Sequence, residues 1–133
     1  MLYSREIILA RVTISMVRTV VAEILKDERF GTRADDAVLC CAIFVGQAEH
    51  KPMTAAKLAE YAGIPRPTVV RKLRQLQVEG IVRVLDGGQA ELVADLLADG
   101  LQAATARSIR VINTAASRLS KMDTHRIAHR KGV

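Results

Sequence analysis

Apolar positions recur along the first stretch of the chain with a helical period. Ile7, Ile14 and Val21 repeat every seven residues, and so do Ala10, Val17 and Ile24. This predicts a helix from about Ser4 to Lys26 with one continuous apolar stripe, which Ser4 can cap. Ile8, Val12, Met16, Val20 and Leu25 widen the stripe beyond what one neighbour would cover. Phe30-Gly31 ends it. Thr32 opens a second predicted helix, with Asp35 three residues on as the partner of a capping box. Ala37, Val38, Cys41, Phe44 and Val45 carry that helix to near His50, and Lys51-Pro52 breaks it.

The spacing changes in the middle third. Thr54 caps a short helix bearing Leu58 and Ala59, and Gly63-Ile64 follow. A small residue at Ala59 lets two helices cross closely, and Gly63 can take the left-handed backbone of a sharp turn. Pro65 and Pro67 fall at the turn and the first turn of the next helix, where a missing amide hydrogen costs little. Val69, Leu73 and Leu76 then fall on one face of a helix from about 66 to 79, closed by Gly80. The opposite face holds Pro67, Arg71, Arg74 and Gln75. Residues 81–85 and 89–93 read as two strands around the hairpin signal Asp86-Gly87-Gly88. Two helices joined by a tight turn and followed by a hairpin make a winged helix-turn-helix, a device for placing one helix in the DNA major groove.

The last segment, from about Asp95 to Met122, carries Leu101, Ala104, Ser108, Ile112, Ala115, Leu119 and Met122 at spacings of three and four. It is predicted to be mostly helical, with Gly100 marking a break between a short helix and a long one. Residues after Asp123 read as a frayed, basic end. The expected fold class is mainly α with a small β-hairpin wing. The chain forms one domain, 1–133. It divides into an N-terminal helix in 1–31, a winged core in 32–94 with its wing at about 81–93, and a C-terminal helix and basic tail in 95–133.

The stretch AGIPRPTVVRKLRQLQVEGIV resembles the winged helix-turn-helix of the MarR-like regulators, through Gly63, Thr68, Val69, Arg71, Leu73, Leu76, Gly80 and the pair Ile81–Val82. GIPRPT is also similar to the DNA-binding domain of the IclR family, whose large effector domain this chain is too short to hold. The MarR-like resemblance implies that both terminal helices, in 1–31 and 95–133, serve dimerisation, in a homodimer where those of two subunits interlock and hold two reading heads apart. Palindromic DNA then matches the twofold axis. It implies a transcription regulator, most often a repressor. In one respect the chain departs from the resemblance. MarR-like wings usually carry an arginine near the tip, and here the tip is Asp86-Gly87-Gly88, with Arg83 at the base, so a weak wing contribution is expected.

Charge supports a polyanionic partner. The chain has 133 residues and a net charge of +6. From Lys51 to Arg83 seven basic residues face only Glu60 and Glu79, a net +5 that coincides with the motif. From Arg118 onward the net is +4. Aromatic residues are only Tyr3, Phe30, Phe44 and Tyr61, too few for the stacking platforms of single-strand or RNA binding. They also offer little to a small aromatic effector, which stays possible but unsupported. Cys40 and Cys41 are adjacent on a helix, so a bond between them is not expected, and they read as small buried residues in a reducing compartment. His50, His125 and His129 form no metal set. No nucleophile–base pair or phosphate loop stands out, so no enzyme, cofactor or metal is expected. No signal or membrane-spanning run is evident, and the expected setting is the cytoplasm, near the nucleoid.

Individual residues follow from these placements. Candidates for base contact are Arg66, Pro67, Thr68, Val70 and Arg71. Arg71 can give two hydrogen bonds to a guanine, discriminating by roughly 1–3 kcal/mol; the alternatives are a phosphate contact or a salt bridge. Val70 can meet a thymine methyl or pack at the motif's edge. Candidates for phosphate contact are Thr54, Lys57, Lys72, Arg74, Gln75 and Arg83. Dimer-interface candidates are Ile7, Ile14, Val17, Val21, Ile112 and Leu119. The leading reading is a homodimeric, sequence-specific double-stranded DNA-binding regulator. The alternatives are a winged-helix module for protein interaction or assembly, and a non-specific architectural DNA binder.

Overall fold

The computed structural model describes residues 2–131, with side chains through Thr124. Helices α1 (Ser4–Glu23), α2 (Ala34–Ala48), α3 (Ala55–Ala62) and α4 (Arg66–Val78) are followed by strands β1 (Val82–Val84) and β2 (Ala90–Leu92) and a long helix α5 (Ala94–Lys131). The strands pair antiparallel, with Val82 opposite Leu92 and Val84 opposite Ala90. A third short piece joins them: the Ala90 N–H donates to the Met53 carbonyl at 2.9 Å, and Thr54 bridges to Gln89. The start of α3 is thereby tied to the wing.

The core sits where α2, α3, α4 and the wing meet. Val21, Leu39, Ile43, Leu58, Val69, Leu76 and Ala90 are fully buried there. Each large aliphatic side chain so buried stabilises the fold by about 1.5–3 kcal/mol. Among the described residues, only the short Met53–Thr54 piece pairs with the far edge of β2. The Gln47 side chain completes that edge, accepting from the Leu92 N–H at 2.8 Å and donating to the Leu92 carbonyl at 3.2 Å. A buried backbone edge is thus satisfied by one amide side chain acting as a strand.

Helices α1 and α5 pack along each other. Arg5 faces Asp123 at 4.0 Å at one end and Glu23 accepts from Arg107 at 2.9 Å at the other, so the pair runs antiparallel. Gly100 does not break α5. It lies inside the helix and buried against the end of α1, where an added Cβ would run into the carbonyl oxygen of Glu23. The glycine permits close approach. The C-terminal end is also more regular than its composition suggests, since α5 continues to Lys131. His125 and His129, expected to form no metal set, lie outside the residues whose side chains are described.

Two predicted helix starts differ. The N-cap of α1 is Tyr3, with φ 61°, and Ser4 is already the first helical residue. Helix α2 begins at Ala34 with Arg33 at its N-cap, and Thr32 does not cap it. The Thr32 hydroxyl donates to the Arg29 carbonyl at 2.9 Å, closing the preceding turn, and Asp35 is exposed. Arg33 is drawn into an ion cluster described below, and that tertiary contact overrides the local capping pattern.

Candidate nucleic-acid interface

Local chemistry builds the α3–α4 unit. Thr54 Oγ1 accepts the Lys57 N–H at 3.4 Å, capping α3. Gly63 ends α3 in the left-handed region at φ 68°, and the Ile64 N–H returns to the Ala59 carbonyl at 3.1 Å. This closure satisfies carbonyls that the helix end would otherwise leave open. Pro65 is the N-cap of α4, with Pro67 in its first turn. Val69 and Leu76 are completely buried and Leu73 nearly so, which fixes the inner face of α4.

The outer face of α4 carries Pro67, Arg71, Arg74, Gln75 and Val78, all exposed, with Val78 at 89%. Arg66 is exposed at the N-terminal end, and Thr68 is half-buried beside it. Among the described residues, Arg66, Arg71, Arg74 and Lys57 make no ion pair. Four cations are therefore exposed and, among the described residues, without an ion-pair partner. The alternative of a structural salt bridge for Arg71 finds no partner. Val70 is half-buried, in keeping with packing at the motif's edge.

Lys72 is removed from the phosphate-contact candidates. Only 11% of its side chain is exposed, and its ammonium sits 3.1 Å from Asp36 Oδ1. It lies three residues after Val69 and four before Leu76, so it belongs to the inward face. Asp36 itself is buried and also accepts from Arg33 Nε at 2.7 Å. Arg33 reaches Glu79 Oε2 at 3.0 Å and Asp27 Oδ2 at 3.3 Å. These residues form one cluster joining the α1–α2 linker, α2 and α4. Burial works against the Arg33 charge, but the hydrogen bonds it donates to Glu79 and Asp36 outweigh it and raise its pKa. Hydrogen bonds from the Arg29 side chain and backbone, then the Arg33 side chain, hold Asp27 well below the usual carboxylate range. Among the described residues no buried side-chain nitrogen or oxygen lacks a partner.

Two other phosphate candidates are already engaged. Gln75 Nε2 donates to Glu79 Oε1 at 3.1 Å. Arg83 is paired across the hairpin with Glu91, through bonds of 2.8 and 3.2 Å, while two-thirds of its side chain stays exposed. The wing tip turns on Gly88 at φ 85°, with the Gly88 N–H donating to the Leu85 carbonyl at 2.8 Å. Asp86, Gly87 and Gly88 are exposed and present no cation.

The proposed interface residues separate into two sets. Ile7, Ile14 and Ile112 are 38%, 46% and 49% exposed. Leu119 and Val17 are half-buried, Val17 against the core. Val21 is fully buried in the core and leaves the interface set. The two cysteines also separate. Cys40 is buried, and burial pushes its thiol up to about 12. Cys41 is exposed, so the expectation of two buried cysteines holds for Cys40 alone. Apolar surroundings raise the Cys41 thiol too, which works against a reactive thiolate. Among the described residues no group of three His, Cys, Asp or Glu side chains could hold a metal, and no helix is long and apolar enough to cross a membrane.

Arg33, Asp36 and Gln47 were not legible as site-building residues. Their partners lie 36 to 46 positions away for the links to Lys72, Leu92 and Glu79. The one available signal was the placement of Lys72 on the buried side of α4.

Residues 42–103 match the Crp-like helix-turn-helix domain family. No curated protein matches the sequence significantly. Among solved structures the chain is similar to the MarR family protein Rv2887 of Mycobacterium tuberculosis, at 20% identity and a TM-score of 0.46, covering 96% of this chain and 92% of that one. The geometry of α3, α4 and the hairpin, with the match over 42–103, makes this a winged helix-turn-helix chain of the DNA-binding kind found in transcription regulators.

Proposed function

We propose that the chain is a sequence-specific regulator of transcription that binds double-stranded DNA as a homodimer, and represses by occluding a promoter. The observation that carries this reading is the division of α4. Its inner face is locked by Val69, Leu73 and Leu76, while Arg71 and Arg74 on its outer face are exposed and, among the described residues, make no ion pair. An exposed helix bearing free arginines, held rigidly by the rest of the motif, is what reading a major groove requires. Arg66, Pro67, Thr68 and Arg71 are assigned to base edges. Lys57, Arg74, Arg83 and the Thr54 cap are assigned to phosphates.

Dimerisation rests on surface left uncovered by the chain itself. Ile7 and Ile14 on one face of α1, with Ile109 and Ile112 on α5, form exposed apolar positions along the helix pair. A second copy would bury them about a twofold axis, and an inverted-repeat operator would match that symmetry. The function needs no catalytic chemistry.

Binding to a mixed duplex as a function of salt tests the reading. Three cationic phosphate contacts per copy, from Lys57, Arg74 and Arg83, predict a log–log slope of about −3 per copy. A shallow slope, with plain duplex failing to compete, would point instead to a protein partner.

A further inference from the structure

Most of the charged residues of the α4 segment face outward, but Lys72 does not. A buried ion pair is weak as a source of stability, because desolvation offsets the attraction. Its best-attested use is to fix one arrangement over near neighbours. The apolar contacts of α4 are of a kind that tolerates small rotations: Val69, Leu73 and Leu76 meet a core of aliphatic side chains without directional bonds. The directional bonds come from the cluster. Lys72 Nζ meets Asp36 Oδ1 at 3.1 Å near the helix middle, and Glu79 meets Arg33 at 3.0 Å just past its end. Asp36 takes Arg33 on its other oxygen at 2.7 Å, so both carboxylate oxygens are committed.

We propose that the Arg33–Asp36–Lys72–Glu79 cluster sets the rotational register of α4 and so determines which base edges Arg71 reaches. These are positioning residues, acting through Arg71, and the inference rests on the DNA-reading function proposed above. Lys72 and Arg71 are consecutive, so their side chains leave the helix about 100° apart. Pinning one inward fixes the direction of the other outward. A rotation of roughly 20° at a radius of about 6 Å moves a side-chain tip by about 2 Å, more than a bidentate hydrogen bond tolerates. Two anchors make the constraint rotational as well as translational, because Lys72 and Glu79 lie seven residues apart, about two turns along the helix. The cluster also reaches Asp27 in the α1–α2 linker through Arg33, so the register is referred to the end of α1.

The test replaces the central pair together. Asp36→Leu with Lys72→Met removes one charge of each sign and substitutes apolar groups, which leaves no orphaned buried charge. Arg33 keeps Glu79 and Asp27. The expected result is a folded protein that binds mixed duplex with the wild-type salt slope, since Lys57, Arg74 and Arg83 are untouched. Its preference for the selected site over a scrambled site should fall about tenfold or more. Lys72→Arg, which preserves the charge and the bond to Asp36, should retain most of the preference. A folded double variant with wild-type site preference would overturn the proposal.

A second readout needs no DNA. Amide hydrogen exchange in the double variant should speed up in α4 and stay unchanged in α3. Unchanged exchange in α4 would overturn the register claim. Absence of site preference in the wild-type protein would instead overturn the DNA-reading function, leaving the exchange result to decide the role of the cluster.

Discussion

At the scale of single residues, neighbours of similar chemistry do different things. Arg71 and Lys72 are adjacent and both cationic, yet Arg71 is exposed and makes no ion pair among the described residues, while Lys72 is buried against Asp36. Arg71→Ala is expected to weaken binding to the preferred site by roughly 1–3 kcal/mol and to relax preference at one base position, with the melting curve unchanged. Equal affinity and site preference in a binding titration would remove its base-reading role. A second prediction concerns Asp27. Its folded pKa lies below its ordinary value of 3.8, because Arg29 and then Arg33 stabilise the carboxylate. A depressed carboxylate contributes stability that is present above that ordinary value and is lost as pH falls toward the folded one. Denaturant midpoints should therefore drop between pH 5 and lower pH, the upper bound being about where such losses begin. Asp27→Asn should flatten that limb; an unaltered acid limb would place its cause in other carboxylates. Lys72 was readable as inward from its helical position, but its Asp36 partner was not, since nothing local links residues 36 positions apart.

At the scale of elements, the turn chemistry was the most legible part. Gly63 takes the left-handed conformation that its position predicted, the Asp86-Gly87-Gly88 signal does form a hairpin turn, and Thr54 caps α3. Local rules succeed there because both ends of each contact lie within a few residues. They failed at Thr32, where Arg33 is recruited into a cluster spanning three elements. They failed also at Gly100, where a break was expected and an uninterrupted helix is found. The signal at Gly100 was real, but its cause is the carbonyl of Glu23, a contact with a distant helix. Gly100→Val should force α5 away from the end of α1 and destabilise the protein by about 1–3 kcal/mol, the usual cost of overpacking. A thermal melt measures this directly. A gain in stability, as expected for relieving a helix-interior glycine, would show that the close approach is not binding. The wing tip lacks a cation, so Arg83→Ala should mainly lower overall affinity and leave site preference intact, as competition with scrambled duplex would report.

At the scale of the whole molecule, the chain reads as a winged core carried on an antiparallel pair of long helices. The layout was legible from the apolar period of each terminal segment. The sharing of that apolar surface between the chain's own core and a partner was not, because a stripe does not say which of its members face inward. Val21 faces the core, whereas Ile7, Ile14 and Ile112 remain exposed. Ile7→Glu with Ile14→Glu is expected to convert a dimer into monomers without unfolding the winged core, as light scattering and circular dichroism would report together. A dimer that persists would put the interface on another surface. Loss of the dimer should also weaken DNA binding steeply, since one reading head makes half the contacts.

Selection from a randomised duplex pool at physiological salt tests the central claim most directly. The account predicts enrichment of an inverted repeat whose half-sites lie about one helical turn apart, as two copies of α4 related by a twofold axis require. Duplex binding with no enriched sequence, or no duplex binding at all, would contradict it.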